Sequence, residues 1–251
     1  MPEVKVGDIS IYYEVRGSGY PLIMIMGFSF SLLDWGDAFP DELAKNYQVI
    51  MFDNRDSGRT KSQSTDNYTT ADMTNDAAGL LNALGIARAH VLGFSMGGMI
   101  AQQFALRHPT KLDKLILSCT MAGGDCSDFN PNNQGDLLDL LFPTSYLAIS
   151  NNRKKAEDFF RKTSAYHSQP DGFIRKLQAH HTHDTCNLLQ GIKAPTLIIT
   201  GDSDIIIPPV NSNILNNKIS GSELKIIKEG GHGFGYSHAA EIAKIVTDFL
   251  S

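Results

Sequence analysis

Ala89-His90-Val91-Leu92-Gly93-Phe94-Ser95-Met96-Gly97-Gly98-Met99-Ile100 reads as a short apolar strand that passes directly into a helix. A run this apolar on both faces fits a strand buried in a parallel sheet better than a half-exposed one. Between strand and helix lies Gly93-Phe94-Ser95-Met96-Gly97, a G-x-S-x-G string. Such a string recurs by chance, so its weight comes from its placement at a strand-to-helix turn. The glycines let that turn close tightly enough to push the Ser95 hydroxyl out above the sheet. The helix opening at Met96 turns its free N–H groups and positive dipole end toward the same point.

The same rhythm extends in both directions. Glu3–Val6 and Ile9–Arg16 read as a hairpin. Pro21–Gly27, Tyr47–Asp53, Ala89–Ser95 and Leu112–Thr120 are apolar strand runs. Ala71–Leu84, capped by Thr69 or Thr70, and Met96–Arg107 are the helices between them. The alternation stops between about Met121 and Ala194, a stretch rich in Asn, Asp and Ser with helical patches at Gly135–Phe142, Arg153–Ser164 and Phe173–His181. It resumes with strand Pro195–Gly201, helix Pro209–Ile219, strand Glu223–Glu229 and a closing helix His238–Leu250. The expected class is α/β, a mostly parallel doubly wound sheet with a helical cap inserted before the last two strands. Residues 1–120 and 195–251 would form the core and 121–194 the cap.

Composition agrees with such a fold. The chain has 251 residues, 42% hydrophobic and 20% charged, with a net charge of −5 and no basic block. Nucleic acid is therefore not an expected partner. No apolar run is long enough to span a bilayer or serve as a signal sequence, so a soluble, cytoplasmic protein is expected. Cys119, Cys126 and Cys186 are an odd set without C-x-x-C spacing, which argues against a disulfide framework.

A serine hydroxyl becomes a useful nucleophile only beside a base, normally a histidine oriented by a carboxylate. His232, in Gly230-Gly231-His232-Gly233 directly after the last predicted strand, is the candidate base. Asp204 is the candidate acid, with Asp202 its rival on the same loop. Both follow carboxyl ends of strands, where open α/β sheets carry their sites. The developing oxyanion needs donors; the backbone N–H groups of Met96 and of Phe28, in Met26-Gly27-Phe28, are placed to supply them. Ligand pockets are mostly apolar. Phe129, Leu137, Leu138, Leu141, Phe142 and Phe160 of the cap are accordingly pocket candidates, and Trp35 either lines the pocket mouth or packs the first helix.

His180, His181 and His183, near Asp184 and Cys186, lack the spacing of a metal site and read as polar cap residues, so no metal is expected. Phosphate-loop and dinucleotide fingerprints are missing, and no cofactor is expected.

Taken together, the strand–G-x-S-x-G–helix unit, the late Gly201-Asp202-Ser203-Asp204 and the final Gly-Gly-His-Gly resemble the α/β-hydrolase superfamily over the whole chain. Gly-Phe-Ser-Met-Gly-Gly is similar to the small esterases, enol-lactonases and cofactor-free perhydrolases. Ala194–Gly201 and His183-Asp184-Thr185 look most like the 3-oxoadipate enol-lactonase branch. The resemblance implies Ser95 as nucleophile, His232 as base, Asp204 as its orienting acid and the Phe28 and Met96 amides as oxyanion hole. The implied reaction is cleavage of a small carboxylic ester or lactone through an acyl-enzyme. A C–C bond hydrolase, a perhydrolase with the same triad, or a receptor without turnover are the alternatives. Two departures stand out: Met26 replaces the usual oxyanion-loop histidine, and Asp53-Asn54-Arg55-Asp56-Ser57-Gly58 replaces D-x-R-G-x-G. A close Asp53–Arg55 pair is expected to brace that loop.

Overall fold

Strands β1 (Glu3–Val6), β2 (Ile9–Arg16), β3 (Tyr20–Ile25), β4 (Tyr47–Phe52), β5 (Lys61–Ser62), β6 (Ala89–Phe94), β7 (Leu112–Ser118), β8 (Thr196–Gly201) and β9 (Glu223–Ile227) make up one sheet in the computed structural model, which describes residues 2–62, 64–129 and 135–251. Their order is β1-β2-β4-β3-β6-β7-β8-β9, with β5 pairing to β2. β2 runs antiparallel to β1, β4 and β5, and every pair from β4 to β9 is parallel.

The central strands are apolar throughout because both faces are covered. On β3, Leu22 and Met24 turn to one face and Ile23 and Ile25 to the other, as the two-residue period of a strand requires. The first pair packs with Phe39 and Leu43 of α1 (Ala38–Leu43) and with Ile242 and Val246 of α10 (Ala239–Leu250). The second pair meets Leu80 and Leu81 of α2 (Thr70–Ala83), Met99 and Phe104 of α3 (Met96–Arg107) and Leu215 of α8 (Val210–Lys218). Each such side chain contributes roughly 1.5–3 kcal/mol by leaving water. Thr69 caps α2 in a reciprocal box with Asp72.

Between β7 and β8 run α4 (Leu137–Leu141), α5 (Thr144–Ala148), α6 (Asn152–Thr163) and α7 (Pro170–His181). α4, α5 and α6 share a small core around Leu138, Phe142, Leu147, Ala156 and Phe160, whereas Ala179 of α7 packs into the main core. Positions 130–134 of this insertion lie outside the described residues. A four-residue helix, α9 (Phe234–Ser237), precedes α10. Among the described residues no helix is long and apolar enough to cross a membrane.

The cysteine expectation needs correction. Cys126 and Cys186 form a disulfide, with Cα atoms 5.6 Å apart across a separation of 60 residues, while Cys119 is free and buried. Local spacing could not reveal the pair, because the tertiary fold creates it. Gly123 bridges to Asp184, and the Thr185 N–H donates to the Ala122 carbonyl at 2.8 Å, bringing the two ends of the insertion side by side. Closing a loop of this length is worth about 4 kcal/mol on the chain-entropy account. Cys126→Ser should therefore lower the denaturant midpoint well below that of the oxidised protein. Coincident unfolding curves would show that the bond contributes nothing.

Candidate active site

Ser95 sits at the junction of β6 and α3 with φ 57° and ψ −123°. A non-glycine residue holds this backbone shape at a cost of order 1–3 kcal/mol, so its surroundings must enforce it. Here the Ser95 N–H donates to the Ser118 carbonyl at 2.8 Å, anchoring the turn to β7. Gly93 and Gly97 are required by close approach: a Cβ on Gly93 would strike the Gly97 carbonyl, and one on Gly97 the Ile25 carbonyl.

The loops after β8 and β9 deliver the partners. His232 Nε2 lies 3.0 Å from Ser95 Oγ, and its Nδ1 lies 2.8 Å from Asp204 Oδ2. Asp204 and His232 are almost fully buried. The other Asp204 oxygen accepts the N–H groups of Ile206 and Ile207, each at 2.9 Å. The carboxylate is thus fixed from behind while it faces the imidazole. Asp202 instead pairs with the Ser203 hydroxyl at the surface, so the structure brings Asp204, and not its rival, to the histidine. The Gly233 N–H donates to Leu141 of α4 at 2.7 Å, tying the histidine loop to the insertion.

Phe28 lines the same cavity as Ser95, and Met96 follows the serine in the chain. The Met96 N–H is the first of α3 and has no carbonyl a turn back within its helix. Gly27 brings the other loop close, since a Cβ there would stand 3.0 Å from Ser95 Cβ. The question raised by Met26 has a structural answer. Asn54 Nδ2 donates to the Met26 carbonyl at 2.9 Å, so an asparagine on the next loop holds the segment. Sequence reasoning missed Asn54, because nothing in a lone asparagine 28 residues away announces that bond.

A cavity of about 570 Å³ opens over Ser95 and His232. Phe129, Leu137 and Leu141 line it as expected, joined by Phe173, Leu177 and His180 of α7. The latter three follow i, i+4, i+7 spacing, a stripe readable in the sequence. Leu138, Phe142 and Trp35 require correction. Leu138 and Phe142 turn into the insertion's own core with Phe160, because α4 is one short turn whose Leu137 and Leu140 take the cavity side. Trp35 packs with Phe39 and Phe94, and borders a separate small cleft with Met26 and Phe160.

The unusual loop after β4 seats the insertion. Asp53 and Arg55 do not pair with each other. Asp53 accepts from the Leu32 and Arg59 N–H groups at 2.7 and 2.8 Å, while Arg55 grips Asp76 of α2 with two bonds of 2.6 Å. Asp56, with φ 59°, binds Arg175 of α7 at 2.8 and 2.9 Å and accepts from the Tyr68 hydroxyl. One residue further on, Ser57 receives the fully buried Lys176 ammonium. Burial outweighs the pull of Asp56 and Asp53 and pushes Lys176 down from its ordinary 10.5 to about 7. Between those values the unfolded chain binds more protons than the folded one. Stability contributed here should therefore rise with pH from about 7 toward 10.5, at up to about 1.4 kcal/mol per pH unit. Denaturant melts of Lys176→Met should lack that slope; an identical slope would mean that Lys176 does not cause it.

The histidine cluster separates in space. His183 Nδ1 meets Thr70 Oγ1 at 2.9 Å beneath the insertion, whereas His180 and His181 line the cavity. Burial pushes both His180 and His183 down to about 4. Among the described residues the one group with metal-ligand reach is Cys119, Asp204 and His232, all within 4.8 Å. It fits an ion poorly: Asp204 and His232 already engage each other, and burial, reinforced by the Asp204 charge, pushes the Cys119 thiol well up and keeps it protonated.

A relative from Caulobacter sp. (strain K31), named "Putative carbamate hydrolase RutD", is 29% identical over 96% of both chains. The enol-lactonase from Burkholderia xenovorans LB400 superposes with a TM-score of 0.88 over 99% of each chain at 23% identity. A thermophilic esterase from Thermogutta terrifontis does so with 0.87, over 100% of this chain and 98% of its own, at 24% identity. At those identities the two structures show a shared fold. The sequence pattern of the alpha/beta hydrolase fold matches residues 20–239, most of the chain. With that match spanning elbow, insertion and histidine loop alike, the protein belongs to the alpha/beta hydrolase fold family.

Proposed function

We propose that the protein is a serine hydrolase of uncharged carboxylic esters or lactones, with residues 121–194 acting as a cap over the substrate. The observation that carries this reading is the Asp204–His232–Ser95 relay opening into a cavity with no Asp, Glu, Lys or Arg among its described lining residues. His232 takes the Ser95 proton as Oγ attacks the carbonyl carbon. The Phe28 and Met96 N–H groups receive the oxyanion. The C–O bond breaks, His232 returns the proton to the leaving alkoxide, and a water repeats the sequence on the acyl-enzyme.

The cavity also bears on substrate class. The Caulobacter relative's name points to a carbamate, a molecule of few atoms. A cavity of about 570 Å³ walled by Phe and Leu has room for a much larger acyl group. A carboxylate buried there would lose its water with no cation to compensate. The expected order is therefore neutral aryl and alkyl esters and unsubstituted lactones ahead of hemisuccinate esters or carbamate. The test is kcat/KM across that panel. Preference for the charged members, or turnover of carbamate alone, overturns the reading.

A further inference from the structure

The wall of the cavity over Ser95 contains a second histidine–carboxylate pair. His167, just after α6, lines that cavity and packs its ring on Phe30 with centroids 4.8 Å apart. Its Nε2 lies 3.0 Å from Asp34 Oδ1. Asp34 belongs to the short turn Leu32–Trp35 beside the oxyanion loop, and its side chain is wholly buried. Its second oxygen accepts the Ser31 N–H at 2.9 Å and the Ser31 hydroxyl at 3.0 Å. Both ends of this carboxylate are committed.

That arrangement fixes the histidine tautomer. An ionised carboxylate only accepts, so the ring nitrogen facing it carries the hydrogen. In the neutral ring Nδ1 is then a bare acceptor, and among the described residues it has no hydrogen-bond partner. The pair resembles His232–Asp204 with the ring reversed, Nε2 rather than Nδ1 facing the carboxylate, and it has no nucleophile opposite it. His167 belongs to a wall of mostly Phe, Leu and Ile, with Ser29, His180 and His181 its other polar members beside Ser95 and His232, and in such a wall a single hydrogen bond discriminates strongly.

We propose that His167, oriented by Asp34, is a specificity-determining residue whose Nδ1 accepts a hydrogen bond from a hydroxyl or N–H group borne by the substrate away from its reacting carbonyl. The preferred substrates would then be uncharged esters or lactones carrying such a donor, for instance a phenol. This rests on the hydrolase reading only in taking the bound molecule to be the substrate of Ser95. The competing role is mechanical, with His167 merely strapping the insertion to Asp34.

Two substitutions separate these roles. In His167→Lys the ammonium can still donate to Asp34, which keeps the strap, and a side chain with donors only deletes the acceptor. In Asp34→Asn the two Ser31 donors hold the amide oxygen, so the NH₂ turns to His167. Nε2 then accepts, and Nδ1 becomes a donor.

Affinities are measured calorimetrically on Ser95→Ala, which needs no turnover, with phenylacetamide and its 3- and 4-hydroxy and 3- and 4-methoxy derivatives. One hydroxy isomer should bind about five- to tenfold more tightly than the parent compound, the net worth of one hydrogen bond, and its methoxy counterpart should gain nothing. Adding His167→Lys should erase the preference for the hydroxy compound over its methoxy counterpart. Adding Asp34→Asn should make the methoxy compound bind as well as the hydroxy one. No hydroxyl preference in Ser95→Ala, its survival in His167→Lys, or continued rejection of methoxy in Asp34→Asn overturns the proposal. Hydrolysis of p-nitrophenyl phenylacetate by the unmodified protein tests the hydrolase reading separately. Turnover without a hydroxyl preference sinks only the inference, and a preference without turnover sinks only the hydrolase.

Discussion

Ser95→Ala is expected to lower kcat on a short-chain p-nitrophenyl ester by a factor on the order of 10⁶, because nucleophile and base act as a unit. Little of the fold should suffer, since the lost hydroxyl's one described bond is to His232. A serine-directed phosphonate should label the unmodified protein at Ser95 alone. The contrast with Thr70 is instructive. Its hydroxyl also lies 2.9 Å from an imidazole, that of His183, but both residues are buried and neither lines the cavity. Labelling away from Ser95, or activity retained in the alanine variant, would remove the serine from its role.

Asp204→Asn should cost about 10⁴ in kcat, the scale seen when a triad aspartate becomes an amide. The local geometry says why. The N–H groups of Ile206 and Ile207 both donate to one oxygen, so they will hold the amide's oxygen and turn its NH₂ toward His232. Nδ1 then accepts, Nε2 carries the hydrogen, and the ring cannot take the Ser95 proton. Asp202→Asn, whose side chain meets only Ser203 among the described residues, should change kcat by no more than about twofold, as surface changes away from such features do. Equal losses in the two variants would move the acid to Asp202.

Ser95, Asp204 and His232 are legible because each follows the carboxyl end of a strand and sits in a short signature, so strand reading and motif reading converge. The sheet was legible for a similar reason. Leu22 to Ile25 are apolar on both faces, and only a strand covered on both sides tolerates that. What escaped lies in contacts between distant segments. Asn54 reaches Met26, Asp34 reaches His167 across 133 residues, and Cys126 finds Cys186, none with any local pattern. Short helices escaped too. α4 has five residues, too few for periodicity to say whether Leu137 or Leu138 faces the cavity. The Asp56 loop departs from D-x-R-G-x-G in the sequence itself, but its purpose is readable only with Arg175 seated on it.

The disulfide at the base of the insertion has an evolutionary consequence. The chain leaves the sheet layer and returns to it at one covalently closed point, so the segment between Cys126 and Cys186 is, for the strands below, a detachable appendage. Exchanging that appendage would alter neither strand order nor any crossover, and the reacting groups on the sheet would stay where they are. A lineage could thus acquire new pocket walls by grafting, without reinventing the chemistry. A newcomer would have to refit the seats on the core, among them the Arg175 dock on Asp56, the Lys176 dock on Ser57, the His167 dock on Asp34 and the Leu141 carbonyl that meets Gly233.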